Sequence, residues 1–239
     1  MNKTHIIHLA LPLLLTLSFS SCVIYHPHNI DIPLLHEKGE LEVDASVSLS
    51  APLLGAPAAN VSCSYAPFKS VGVQVAGSFS DINSFYVQAA AGGFHPMGHS
   101  VIEGYVGYGY GMSVHNTPQK KDETHYRVDG HYSLLFGQLN LGWVNLADGV
   151  FDIGFGLKGG LMLPDFEKKH VLENEETEFM ESYTGRNVLI QPQLMVRTGW
   201  KQIKLSFNMG YAYLTDWPDE NNYFNYERIS IGRGVHFDI

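Results

Sequence analysis

The chain has 239 residues, a formal charge of −9 and 16% charged residues, well below the roughly 25% usual in soluble domains. Nucleic acid is excluded as a partner, because binding phosphates needs clustered Lys and Arg and no basic stripe occurs. The low charge, together with 24 glycines, 13 tyrosines and 13 phenylalanines, points to one all-β domain with a non-aqueous neighbour.

The first residues run from Lys3 through an apolar stretch, Ile6 to Leu17, to the exit Ser18-Phe19-Ser20-Ser21-Cys22. This is the tripartite form of a secretion signal and is too short to span a bilayer, so 1–21 is predicted to be a signal peptide. The exit resembles a lipobox, where a peptidase cuts before a cysteine that then carries lipid; Phe19 stands where that family prefers Leu. The resemblance implies that Cys22 is lipidated, each buried CH₂ of the anchor contributing roughly 0.8 kcal/mol. Cys63 is then the remaining thiol, and no intrachain disulfide is expected.

Residues 22–38 contain Pro27 and Pro33, which discourage both helix and central strand, and read as a lipidated N-terminal tether. The end of this stretch, Pro33 to Glu40, resembles the lead-in to the first strand of small lipid-modified outer-membrane barrel proteins of Gram-negative bacteria.

From Gly39 to Ile239 the pattern has period two, and ten candidate strands follow: 39–49, 58–66, 70–79, 84–94, 99–113, 124–143, 149–163, 187–198, 202–213 and 226–239. Most reach the ~9–11 residues that a tilted strand needs to cross hydrocarbon. The segments 58–66 and 70–79 fit least well and leave eight as the alternative count. Connections at 67–69, 95–98, 145–148 and 199–201 are tight, whereas 116–123, 164–186 and 215–225 are long, although the link 80–83 on that side is short. Short turns on one side and long loops on the other is the pattern of outer-membrane barrels with periplasmic turns. An even strand number then places both chain ends, and the lipid, on the periplasmic side.

The two faces of the strands differ in charge. In the first strand Leu41, Val43, Ala45, Val47 and Leu49 oppose Glu40, Glu42, Asp44, Ser46 and Ser48; in 149–163, Phe151, Ile153, Phe155 and Leu157 oppose Asp152, Gly154, Gly156 and Lys158. Because Arg or Lys costs about 2–4 kcal/mol at the lipid midplane, the charged face is assigned to the lumen. A polar lumen network of Glu42, Asp44, Glu103, Asp152, Lys158, Arg197, Lys204 and Arg228 is predicted, with Glu40 and Asp238 at its ends and glycines making room for tyrosines. Three positions break the pattern. The strand 124–143 changes parity, which predicts a bulge near Gly137. Pro192 interrupts a ladder. Arg233 faces lipid unless Gly232 or Gly234 forms a bulge.

The fold expected is an all-β, up-and-down antiparallel transmembrane β-barrel of about ten strands. A lipocalin-like soluble barrel, with the apolar face turned inward, is the competitor, and ten strands cannot easily enclose so many large side chains. The C-terminus, with Gly234, Phe237 and Ile239, resembles the signal read by the barrel-assembly machinery, which is thereby an implied partner alongside outer-membrane lipids.

No cofactor, metal site or enzymatic activity is expected. Neither His26 with His28 nor His95 with His99 has a carboxylate or cysteine partner in a ligand motif, and no Gly-x-Ser-x-Gly occurs. An acidic loop holding Asp165, Glu167, Glu173, Glu175, Glu176 and Glu178 is a candidate site for divalent cations or a cationic partner. The function expected is a non-enzymatic outer-membrane barrel lipoprotein, structural or ligand-binding through its extracellular loops. Ion pairs and tyrosines such as Tyr105 are expected to pack its lumen. A narrow passive channel and a lipid-anchored periplasmic lipocalin-like binder are the alternatives.

Overall fold

The computed structural model describes residues 25, 27–51, 57–81, 84–116, 125–171, 177–200, 202–217 and 226–239. The strands are β1 (Leu41–Ala51), β2 (Ala58–Phe68), β3 (Val71–Asp81), β4 (Ser84–Met97), β5 (Ser100–Asn116), β6 (His125–Asn145), β7 (Phe151–Val171), β8 (Thr177–Thr184), β9 (Asn187–Trp200), β10 (Ile203–Tyr211), β11 (Tyr213–Leu214) and β12 (Ile229–Asp238). Consecutive strands from β1 to β7 pair antiparallel, β7 pairs β9, β9 pairs β10, β10 pairs β12, and β12 returns to β1. The result is a closed ten-strand antiparallel barrel, as the period-two pattern predicts, with β8 and β11 as additions at its rim.

The short turns and Ile239 share one end. At the turn after β6, Asn145, Ala147, Asp148 and Gly149 all adopt positive φ, which tightens the reversal. The longer connections share the other end. There β7 does not stop at Leu163: it continues against β6 up to Val171 and is paired by β8, so much of the expected loop 164–186 is a hairpin rising past the rim. Its register follows from the unbroken ladder between β6 and β7, which runs on to His125 and Val171.

The apolar face points outward. Val106 is 70% exposed, Leu135, Leu139 and Leu205 are each 63% exposed, and Trp200 at the turn end is 83% exposed. A soluble barrel would not survive such a surface; a hydrocarbon surround is what it fits. The lipocalin-like inversion is therefore not what the chain adopts.

One of the three pattern breaks, the parity change of β6, resolves differently from expectation. β6 keeps one continuous register with both β5 and β7, and no bulge forms at Gly137. Its parity change reflects the interior: near the loop end the lumen itself is apolar, so Tyr132, Leu134 and Phe136 point inward while Gln138 and Asn140 serve the polar zone below. Pro192 lies where β10 gives way to β11; Ala212 turns its N–H to Arg228 O at 2.6 Å instead of to the ladder. Arg233 remains on the outer face, between Val47 and Phe207, because the β12 register is unbroken at Gly232 and Gly234.

Glycines set the lumen's width. A Cβ on Gly111 would fall 2.2 Å from Tyr132 Cζ, and one on Gly92 would fall 1.9 Å from the Gly104 carbonyl oxygen. On the outer face of Gly137, the nearest atom to such a Cβ lies at 3.9 Å. Gly92→Ala is therefore expected to abolish the compact, heat-modifiable band of the folded protein on a denaturing gel, and Gly137→Ala to retain it. Equal behaviour of the two variants would contradict this packing.

Candidate functional site

The lumen is occupied by the chain itself. The described residues of the stretch expected to be a tether outside the barrel run instead through its interior from Tyr25 to Leu35, and the chain emerges at Glu37 to Gly39. Ile30, Ile32, Leu34 and Leu35 are buried in it, Leu35 completely. An extended segment inside a closed barrel cannot join the ladder, because every strand edge is already used, so its backbone groups need side-chain partners.

The inward face of the wall supplies them. Gln193 treats residue 30 as a strand neighbour would: its Oε1 accepts from Ile30 N at 2.7 Å and its Nε2 donates to Ile30 O at 2.8 Å. Gln191 Nε2 donates to His28 O at 2.6 Å, and Gln138 Nε2 to Asp31 O at 2.6 Å. Arg197 donates to Ile32 O at 2.8 Å and Pro33 O at 3.1 Å. Glu103 Oε1 accepts from Leu35 N at 2.8 Å, and its other oxygen accepts from Asn140 Nδ2 at 2.8 Å. The Asp31 carboxylate accepts from Ser62 Oγ at 2.9 Å and from Ser64 Oγ. The side chains of Ile32 and Leu34 fill the space opposite Gly142, Gly154 and Gly156, where a Cβ would lie within 2.4–3.0 Å of them.

Above this polar zone lies an aromatic one. The His28 ring stacks on Tyr86 at 3.9 Å between centroids, and its Nε2 is 2.6 Å from the Tyr132 hydroxyl. Tyr25 meets Tyr132 edge-on at 5.4 Å, within a cluster that includes Phe136, Met162, Phe166, Leu189 and Leu214. Below it lies a charged vestibule of about 520 Å³ at the turn end. Lys204 pairs with Asp152 at 2.6 Å, Arg197 with Glu42 at 3.3 Å, and His236 Nε2 lies 3.5 Å from the same Glu42 oxygen.

The predicted lumen network is thus brought together in part. Glu42, Asp152, Arg197 and Lys204 form the vestibule pairs, and Asp44 lines a small cavity beside Asp31 and Arg197. Glu103 serves the threaded backbone rather than a cation. Lys158 donates to Gln88 Oε1 at 2.8 Å and lies over the Phe136 ring at 4.5 Å. Arg228 is not in the lumen: it precedes β12, is exposed at the mouth and sits over the Tyr226 ring at 5.7 Å. Sequence reasoning missed Gln138, Asn140, Gln191 and Gln193. Their signal was present, as amide side chains at alternate inward positions, but its meaning depended on a segment then assigned outside the barrel.

Among the described residues, the acidic positions of this stretch are spread along the hairpin rather than gathered at one point. Glu167 pairs with Lys169 at 2.9 Å, Lys169 also reaches Asp129 at 3.3 Å, and Asp165 faces His131 at 4.0 Å. Glu178 is placed on β8 opposite His170, while Glu173, Glu175 and Glu176 lie outside the described residues. Among the described residues no group of three or more His, Cys, Asp or Glu side chains could hold a metal ion. Cys22 and the leader also lie outside the described residues. The expectation that both chain ends share the turn end holds for Ile239; the first described residue, Tyr25, is at the loop end, where its carbonyl accepts from Glu227 N at 3.1 Å.

No family model and no curated protein sequence matches this chain. Solved barrels do. The translocator domain of autotransporter NalP from Neisseria meningitidis is 13% identical with a TM-score of 0.44, 85% of this chain covering 90% of that one. Omp33 of Acinetobacter baumannii is 9% identical with a TM-score of 0.38, over 86% of this chain and 100% of that one. The CymD monoaromatic hydrocarbon channel is 9% identical with a TM-score of 0.39, over 86% and 67%.

The wall contacts are unequal in weight. Arg197→Met removes two bonds to the threaded backbone and leaves Glu42 without its guanidinium, which for a buried pair costs about 3–5 kcal/mol. Gln193→Met removes three neutral bonds, two to the threaded backbone and one to Asn208, and should cost about 1–3 kcal/mol. Urea unfolding of the detergent-solubilised protein is expected to show the larger drop in midpoint for Arg197→Met. The reverse order would contradict the assignment of Arg197 as the principal latch.

Proposed function

We propose that this chain is a non-enzymatic barrel lipoprotein of the Gram-negative outer membrane whose bore is closed by its own N-terminal segment. In this reading it works through its loop end, as a structural element or as a receptor for a ligand met outside the cell. The short turns face the periplasm, the hairpin of β7 and β8 projects outward, Cys22 carries the lipid, and the last strand is read by the assembly machinery through Gly234, Phe237 and Ile239.

One observation carries the closed-bore reading: inward side chains satisfy the threaded backbone from His28 to Leu35. At the level of His28 to Ile32 the cavity beside that segment is about 30 Å³, room for a water or two, and the larger vestibule lies below it at the turn end. A hydrated ion needs far more, so the passive-channel alternative is disfavoured. The outer-membrane assignment is supported by the apolar outer face together with mixed charges inside, the arrangement that lipid selects. Loops positioned by a rigid barrel are where binding residues concentrate.

The test is electrical. Purified full-length protein inserted into planar bilayers is expected to give no steady single-channel steps. Regular conductance steps from the intact protein would overturn the closed-bore reading.

A further inference from the structure

The segment in the lumen has a direction, and that direction decides on which side the chain ahead of it emerges. At the turn end Gly39 N donates to Ala66 O at 2.8 Å and Ala66 N to Glu40 O at 3.0 Å, which leads the segment into β1. At the loop end Tyr25 pairs in parallel with Tyr226, in the stretch between β11 and β12. The contacts between these points keep one order. On β9, Gln191, Gln193 and Arg197 bond residues 28, 30 and 32–33 in turn, both chains descending toward Trp200 at the turn end. On β6 and β5, Asn140 and Glu103, nearer the turn end than Tyr132, hold residues 31 and 35, whereas Tyr132 meets His28. The segment is a single descending pass from loop end to turn end.

We infer that the chain ahead of Tyr25 leaves the barrel at its loop end, so that the lipid on Cys22 anchors in the outer leaflet of the outer membrane, on the face to which the loops project. This rests on the proposed reading of Cys22 as lipidated and of the short turns as periplasmic. Reach decides the matter. Three residue steps separate Cys22 from Tyr25, at most about 10–11 Å of extended chain, whereas the apolar band of such a barrel is about 25 Å tall. The chain cannot double back through the lumen either, since at the level of His28 to Ile32 the cavity beside the threaded segment is about 30 Å³. An acyl anchor in the periplasmic leaflet would require Tyr25, and the bonds from His28 to Leu35 with it, to be withdrawn. The barrel wall must therefore close around a segment whose free end already faces outward.

The test uses the full-length protein in a Gram-negative host. A single thiol is introduced by Val23→Cys in a Cys63→Ala background and probed with a membrane-impermeant maleimide on intact cells and on cells with a permeabilised outer membrane. Cysteines at Asp148→Cys in a short turn and Asn221→Cys in a long connection mark the two sides. The expected result is labelling of Val23→Cys on intact cells, as for Asn221→Cys, with Asp148→Cys labelled only after permeabilisation. Labelling of Val23→Cys only after permeabilisation overturns the inference. Heat-modifiable mobility of each variant verifies that the barrel has formed; should Val23→Cys lack it, an epitope inserted after Ile24 and stained on intact cells gives the same reading. Palmitate incorporation into the wild type, lost in Cys22→Ser, tests the anchor separately. No incorporation overturns the lipoprotein reading and the placement of the lipid with it, while the maleimide result still reports the side of exit.

Discussion

An extended peptide inside a closed barrel brings its unpaired N–H and C=O groups into a place that offers neither bulk water nor a strand edge, and most of this lumen is organised around that demand. Leaving a buried backbone group unpaired costs about 1–3 kcal/mol, so a segment of this length could not remain inside without partners. Gln191, Gln193, Gln138, Arg197 and Glu103 provide them from the inward positions of β5, β6 and β9. The amide of Gln193, donating and accepting at once, stands in for a missing neighbouring strand. Where a charged group is used, as with Arg197 and Glu103, the bond it makes is stronger and orients the segment more firmly.

The same demand explains why the interior is zoned. Hydrogen-bonding side chains occupy the middle, where the backbone is held. Ion pairs collect around the vestibule at the turn end, their side chains almost wholly buried, and aromatic rings close the loop end around Tyr25 and His28. Ion pairs such as Lys204 with Asp152 are not evidence of stability by themselves, since desolvation offsets much of their attraction. Their physical role here is to fill the base of the bore without leaving an uncompensated charge. Glycines complete the arrangement: on β5 they admit the tyrosines, and on β6 and β7 they admit Ile32 and Leu34.

The outer face obeys a different constraint. Hydrocarbon tolerates apolar side chains in almost any arrangement but penalises charge, which leaves the alternation on the barrel strands clean. Arg233 is the exception on β12, held outward by the unbroken register with β1 and β10; its aliphatic stem allows the guanidinium to lean away from the apolar band. A bulge would have turned it inward, but it would also have reversed the facing of every residue beyond it, including Phe237.

Whatever depends on a repeat of two was legible before any contact was known. The ten barrel strands, their order, the tight turns and the facing of Glu42, Asp152, Arg197 and Lys204 were all legible because a lipid exterior imposes its rule residue by residue. The tertiary structure alone decided what fills the bore. The stretch from Tyr25 to Gly39 has two prolines and no ladder of its own, so local pattern reads it as a loop. Its conformation is dictated by side chains more than a hundred residues away, such as Gln193 bonding Ile30. For the same reason the predicted lumen network omits Gln138 and Gln193. Their role depends on the position of the threaded segment, a long-range contact that no periodicity encodes.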